Sequence, residues 1–158
     1  MNKKNTLRLI LSIIICNLAG IFGAVFTKKS VSTWYTTLEK PSFNPPGWVF
    51  GPVWTVIYIM MGISLFYIWD SKDNKLKKKT LILFYIQLLL NGLWSFLFFG
   101  LRSPFYAFID IILLLIFIFL TIAYSFKISR KISYLLLPYL LWVCFATLLN
   151  YKILVLNT

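Results

Sequence analysis

Five apolar runs, each close to the length of a membrane crossing, govern what this chain can become. They cover about 7–27, 48–69, 80–101, 105–126 and 133–156. An α-helix rises ~1.5 Å per residue, so roughly 20 residues cross ~30 Å of hydrocarbon. The later breaks are short and polar, reading DSKDNKLKKK, LRSP and KISRK. The expectation is an all-α integral membrane protein: a five-transmembrane-helix bundle forming one domain over 1–158, with a long first loop at about 28–47.

Composition agrees. The chain is 60% hydrophobic and has only four acidic side chains in 158 residues, with a mean hydropathy of +0.84. A water-soluble domain needs more charge than this to cover its surface. Lys3, Lys4 and Arg8 precede the first run in the manner of a signal peptide. That run is longer than the usual apolar core of a leader and lacks an A-x-A cleavage pattern, so an uncleaved first helix is expected. Ile15 before Cys16 also argues against a lipoprotein site.

A net charge of +12 raises the question of nucleic acid. The basic residues mostly flank the apolar runs, however, which points to membrane orientation and to no nucleic-acid partner. Eleven of them (Lys3, Lys4, Arg8, Lys72, Lys75, Lys77, Lys78, Lys79, Lys127, Arg130 and Lys131) fall on the side of the N-terminus and of the second and fourth connections. Lys28, Lys29, Lys40, Arg102 and Lys152 fall on the other. The positive-inside rule then places the chain in the cell membrane with its N-terminus cytoplasmic, and the C-terminus and first loop outside.

Conventional enzymology finds few tools here. The absence of histidine removes the commonest general base and any His-ligated haem or zinc. Cys16 and Cys144 lie in different runs without metal-ligand spacing, so no metal site is expected. No phosphate-binding loop, dinucleotide fingerprint or serine elbow appears.

What remains is aromatic. Trp34, Tyr35, Trp48 and Trp69 suit an interfacial belt, whereas Trp54, Trp94 and Trp142 lie within spans. Helical spacing puts Trp54, Tyr58 and Met61 on one face of the second span. Gln87, Asn91, Trp94 and Phe98 share a face of the third, and Trp142, Phe145, Ala146 and Leu149 a face of the fifth. The first offers a small or polar face through Asn17, Gly20, Ala24 and Thr27. Amides facing lipid are costly, so Gln87 and Asn91 should point inward. Small residues serve close helix packing, while rings, amides and small residues together also make a pocket for a flat apolar ligand. Spacing alone leaves both readings open. Asp110, an acid within a span, reads most simply as a hydrogen-bonded structural group near a helix start.

Four prolines fall at Pro41, Pro45, Pro46 and Pro52, among Trp48, Phe50 and Trp54. The segment WYTTLEKPSFNPPGWVFGPVWTVIY, the later NGLWSFLFFG and the ending PYLLWVCFATLLNY together resemble the TspO/translocator protein family, over about 17–151. The resemblance implies a five-helix bundle whose first loop covers a ligand cavity as a lid, with Pro45 and Pro46 stiffening it and Pro52 in the first turn of the second helix. It implies a receptor for porphyrins such as protoporphyrin IX and related apolar ligands, with the porphyrin as ligand and no required cofactor. By match to the family motifs, Ala24, Trp54, Asn91, Trp94, Tyr106, Trp142, Ala146 and Leu149 are ligand-binding residues; Trp48 of the proline-rich segment and Tyr58 and Phe145 of the helical stripes are expected to join them. Tyr106 replaces a tryptophan of animal members. Trp54 and Trp142 are the residues for a light-dependent porphyrin breakdown proposed for the family, and porphyrin or sterol transport is the further alternative. The family's sterol motif fails here, because Tyr151 is followed directly by Lys152. A homodimer is left open, since the small-residue pattern that supports dimers in some relatives is missing from 80–101.

The charge asymmetry makes a direct prediction. Cysteines introduced at Ser42 and Asn74 should differ in reactivity toward an impermeant reagent on intact cells. Ser42 should label and Asn74 should not; the reverse pattern would contradict the orientation.

Overall fold

The computed structural model describes residues 3–158; residues 1 and 2 of the expected single domain lie outside the described residues. Helix α1 spans Lys3–Ser30, a single short turn α2 spans Trp34–Thr37, and α3 spans Gly47–Asp70. Helix α4 spans Lys75–Ser95 and runs on as a π-helical turn over Phe96–Gly100, followed by α5 at Pro104–Phe126 and α6 at Arg130–Leu156. No strand occurs among the described residues. The five long helices are long and apolar enough to cross a membrane. Each crossing found from the sequence is present, with ends extended by up to several residues.

Local chemistry sets several of these ends. Asn74 precedes α4, and its side chain accepts from the Lys77 N–H at 2.8 Å, pairing one of the free amides of the first turn. Ser103 does the same for the Tyr106 N–H at 3.3 Å, and Pro104 opens α5, where its missing N–H costs nothing. Arg102, between the π turn and α5, takes a left-handed φ of 53°, which reverses the chain direction in a very short connection. The second span departs from expectation at one point. Helix α3 begins at Gly47, so Pro52 sits in its second turn and not its first. The Trp48 carbonyl therefore loses its usual i+4 donor, at the exposed end of the helix.

Contacts between helix ends define an antiparallel bundle. Arg8 of α1 pairs with Asp70 at the end of α3 at 3.7 Å. At the opposite end, Ser30 of α1 donates to the Phe99 carbonyl at 2.7 Å. Helix α6 packs against α5 and α3, and α4 against α5 and α1. The core is a band of Cys16, Met61, Leu65, Phe84, Ile118, Leu136 and Tyr139. Around it, large apolar side chains face outward, including Leu89, Leu141 and Phe119. In water such a surface would be an aggregation site; in lipid it is the contact surface of the bundle.

The tightest approach lies between α1 and α3. A Cβ added to Gly62 would stand 2.5 Å from the Ile13 Cα, against backbone that cannot swing aside. Gly62→Ala is therefore predicted to destabilise the protein by about 1–3 kcal/mol, the range for overpacking a filled core. Thermal unfolding in detergent would measure it.

Candidate functional site: a ring-lined cavity beneath the first loop

At the first-loop end the helices separate around a cavity of about 660 Å³. Its wall follows from the stripes read along each helix. Asn17, Gly20, Ala24 and Thr27 of α1 all line it. From α3 come Gly47, Phe50, Gly51, Trp54 and Tyr58, which recur every three or four residues. Asn91, Trp94 and Phe98 enter from α4 and its π turn, and Trp142, Ala146 and Leu149 from α6. Helix α5 also contributes, through Ile111 and Leu114, so five helices rather than four surround the space.

The floor is a buried hydrogen-bond chain. The Tyr58 hydroxyl donates to Asn91 Oδ1, and Asn91 Nδ2 donates to the Tyr139 hydroxyl at 3.1 Å. Trp54 stacks on Tyr58, with ring centroids 5.4 Å apart, and meets Tyr139 edge to face at 6.3 Å. Three helices are thus joined through one amide. A second amide acts higher up: Asn150 Oδ1 accepts from the Trp94 indole at 3.0 Å, while its Nδ2 donates to the Pro104 carbonyl at 2.9 Å. That pairing fixes the Trp94 ring, which also stacks on Phe98 at 5.0 Å. The π turn places Phe98 and Phe99 side by side beneath the loop.

The loop is anchored at several points. Trp34 packs edge to face on Phe98 at 5.6 Å, and Tyr35 on Phe99 at 5.6 Å. Asn157 and Glu39 exchange two hydrogen bonds, each 2.9 Å, tying the loop to the end of α6. Tyr35, Asn44 and Pro45 complete the cavity wall. The Tyr35 hydroxyl donates to Asn44 Oδ1 at 3.0 Å. Burial pushes this phenol above its ordinary range, so it stays neutral and remains a donor.

Eight of the residues expected from the sequence meet in this space: Ala24, Trp54, Tyr58, Asn91, Trp94, Trp142, Ala146 and Leu149. Three lie elsewhere. Trp48 is 76% exposed, because one residue past Gly47 the helix has turned it about 100° away from the lining face. It sits with the interfacial aromatics. Tyr106 is exposed beside Phe105, because the inward face of α5 runs through Ala107, Asp110, Ile111 and Leu114. Phe145 packs between Trp142 and Phe43, where it supports the loop and does not reach the cavity wall. Gln87 points inward as expected, but it is buried away from the cavity, and its amide has no hydrogen-bond partner in the protein. Asp110 is likewise buried, with Oδ2 unpartnered. Among the described residues no cluster of metal-ligating side chains occurs.

Sequence reasoning missed Tyr139, Asn150, Phe50 and Asn44. Asn150 carried a usable signal: it is an amide inside an apolar run, eight residues after Trp142 and thus near its face. Asn44 and Tyr35 carried none, since their positions depend on how the loop folds back.

Comparison with known proteins adds to this geometry. The sequence model of the TspO/MBR family matches residues 12–156. The chain belongs to the TspO/MBR family. It is 47% identical over 156 residues to the tryptophan-rich protein TspO of Archaeoglobus fulgidus, covering 97% of this chain and 99% of that one. The corresponding protein of Chlorobaculum tepidum is 48% identical, with 99% of each chain covered. The human translocator protein is 36% identical, with 85% of this chain and 81% of that one covered. Membership of the TspO/MBR family and five apolar helices together fit a multi-pass membrane protein.

Asn150 provides a test of the site's construction. In Asn150→Leu the Trp94 N–H and the Pro104 carbonyl lose their partners, each at a cost of about 1–3 kcal/mol when buried. Lowered thermal stability and a shifted tryptophan emission are expected together. Unchanged emission would contradict the role assigned to Asn150 in holding Trp94.

Proposed function

We propose that this protein is a membrane receptor for porphyrins, with protoporphyrin IX as the type ligand, and that it senses or buffers tetrapyrroles. The observation that carries this reading is the cavity itself. Its volume of about 660 Å³ lies in the range of small-molecule sites, and its polar groups are few and spaced among rings. Trp54, Trp94 and Trp142 line it with aromatic surface suited to a flat ligand. The polar groups of Asn17, Asn44, Ser95 and Thr55 stand at intervals around them, suited to fixing one orientation. Family membership supports a binding role in the membrane. The first loop acts as the lid, with Pro45 in its underside.

One observation favours a second reading, light-dependent breakdown of bound porphyrin. Trp54 and Trp142 both line the cavity, and the Trp142 Nε1 is buried without a protein partner. An indole next to an excited chromophore can act as an electron donor.

Ala146 is the position for a test. A larger side chain there enters the space between Trp142 and Leu149. Ala146→Phe should weaken protoporphyrin IX binding, titrated in darkness, at least tenfold, or about 1.4 kcal/mol, with melting close to that of the parent. Early melting with normal affinity would mean that the stripe is core packing and would sink the receptor site. The same samples under illumination separate the two readings. A stable spectrum keeps the receptor alone, and bleaching that disappears in Trp54→Phe or Trp142→Phe favours the second.

A further inference from the structure

We propose that the basic end of the bundle holds an anionic phospholipid headgroup between the second turn of α4 and the turn joining α5 to α6, on Lys79, Lys127 and Tyr124. The Lys79 ammonium lies 4.4 Å from the centroid of the Tyr124 ring, and the Lys127 ammonium 5.5 Å from the same ring. In the same turn region the Arg130 guanidinium lies 5.5 Å from the Phe126 ring. Cations are drawn to aromatic faces. Two like charges gathered around one ring nevertheless repel each other, and no acid is placed to offset them.

Two other basic groups at this end are already engaged. Arg8 pairs with Asp70, and Lys77 donates to the Trp69 and Ser71 carbonyls at 2.8 and 2.9 Å. Lys79 and Lys127 are instead exposed, as is Arg130. The helices do not gain from this charge. The first turns of α4 and α6 contain no acid and are rich in lysine and arginine, the sign that opposes the positive end of a helix dipole. An external anion relieves both conflicts at once.

Position identifies which anion. Tyr124 and Phe126 end the apolar run of α5, so the cations stand just beyond the hydrocarbon boundary, at the depth of lipid phosphates. The phosphate would accept from both ammonium groups, and the Tyr124 hydroxyl is a further donor. Lysine clusters immediately next to a transmembrane helix are the sequence form of such recognition.

The full-length protein in a neutral detergent, titrated with phosphatidylglycerol or phosphatidylcholine of matched chains, provides the test. Native mass spectrometry should show phosphatidylglycerol retained about tenfold better, in line with the attraction per lysine at an anionic surface. The Lys79→Gln/Lys127→Gln pair should lose that preference, while the Lys79→Arg/Lys127→Arg pair and Lys152→Gln at the opposite end should keep it. Equal retention of the two lipids would overturn the proposal, as would a preference that survives in the glutamine pair. Displacement of phosphatidylglycerol by millimolar inorganic phosphate would also overturn it, by showing a site for free anions. Should the glutamine pair fail to fold, the single Lys127→Gln variant decides: a preference undiminished from that of the parent would place the lipid elsewhere and overturn the proposal.

Discussion

Within hydrocarbon a polar side chain must find its partner inside the protein, and two asparagines meet that demand in a way that organises the whole bundle. Asn91 joins Tyr58 of α3 to Tyr139 of α6, and Asn150 joins Trp94 of α4 to the start of α5. Both amides have donor and acceptor engaged, so neither leaves an unpaired group to weaken the core. The rings they hold are the rings of the cavity. The floor and one wall are therefore fixed before any ligand arrives, the condition under which binding loses least to ordering.

The cavity exists because packing is uneven along the helices. Away from the first loop, Gly62 brings α3 against the backbone of α1, and the core is filled by Met61, Leu65 and Phe84. At the first-loop end Gly47 and Gly51 line the wall. A Cβ at Gly47 or Gly51 would meet nothing within 4 Å. Gly20, also in the wall, lies instead against the Tyr58 ring, so at this end glycine serves both open space and close packing. The loop then spans the open end, held by Trp34 and Tyr35 on the π turn and by Asn157 on Glu39.

Much of this was legible in the chain. Hydrophobic length gives the five crossings, because the bilayer sets a fixed distance that composition must meet. Helical periodicity puts Asn17, Gly20 and Ala24 on one face, and Trp142, Ala146 and Leu149 on another. All six line the cavity. Where the reading fell short, the cause was rotation or long-range contact. Trp48 lies one position from Gly47 of the wall, and Tyr106 one position from Ala107 on the inward face of α5, and one position is 100° of turn. Tyr139 shares a face with Trp142 and Ala146 by spacing, but its bond to Asn91 depends on a long-range contact, and Asn44 is reached only through the fold of the loop. The π turn that aligns Phe98 and Phe99 likewise has no signature in a run of apolar residues.

A structure of the protein bound to protoporphyrin IX, determined in a lipid environment and in darkness, tests the central claim most directly. The account predicts the macrocycle beneath the first loop, flanked by Trp54, Trp94 and Trp142, with the Asn91 and Asn150 pairings unchanged. A porphyrin seated on the lipid-facing surface, with the cavity empty, would contradict it.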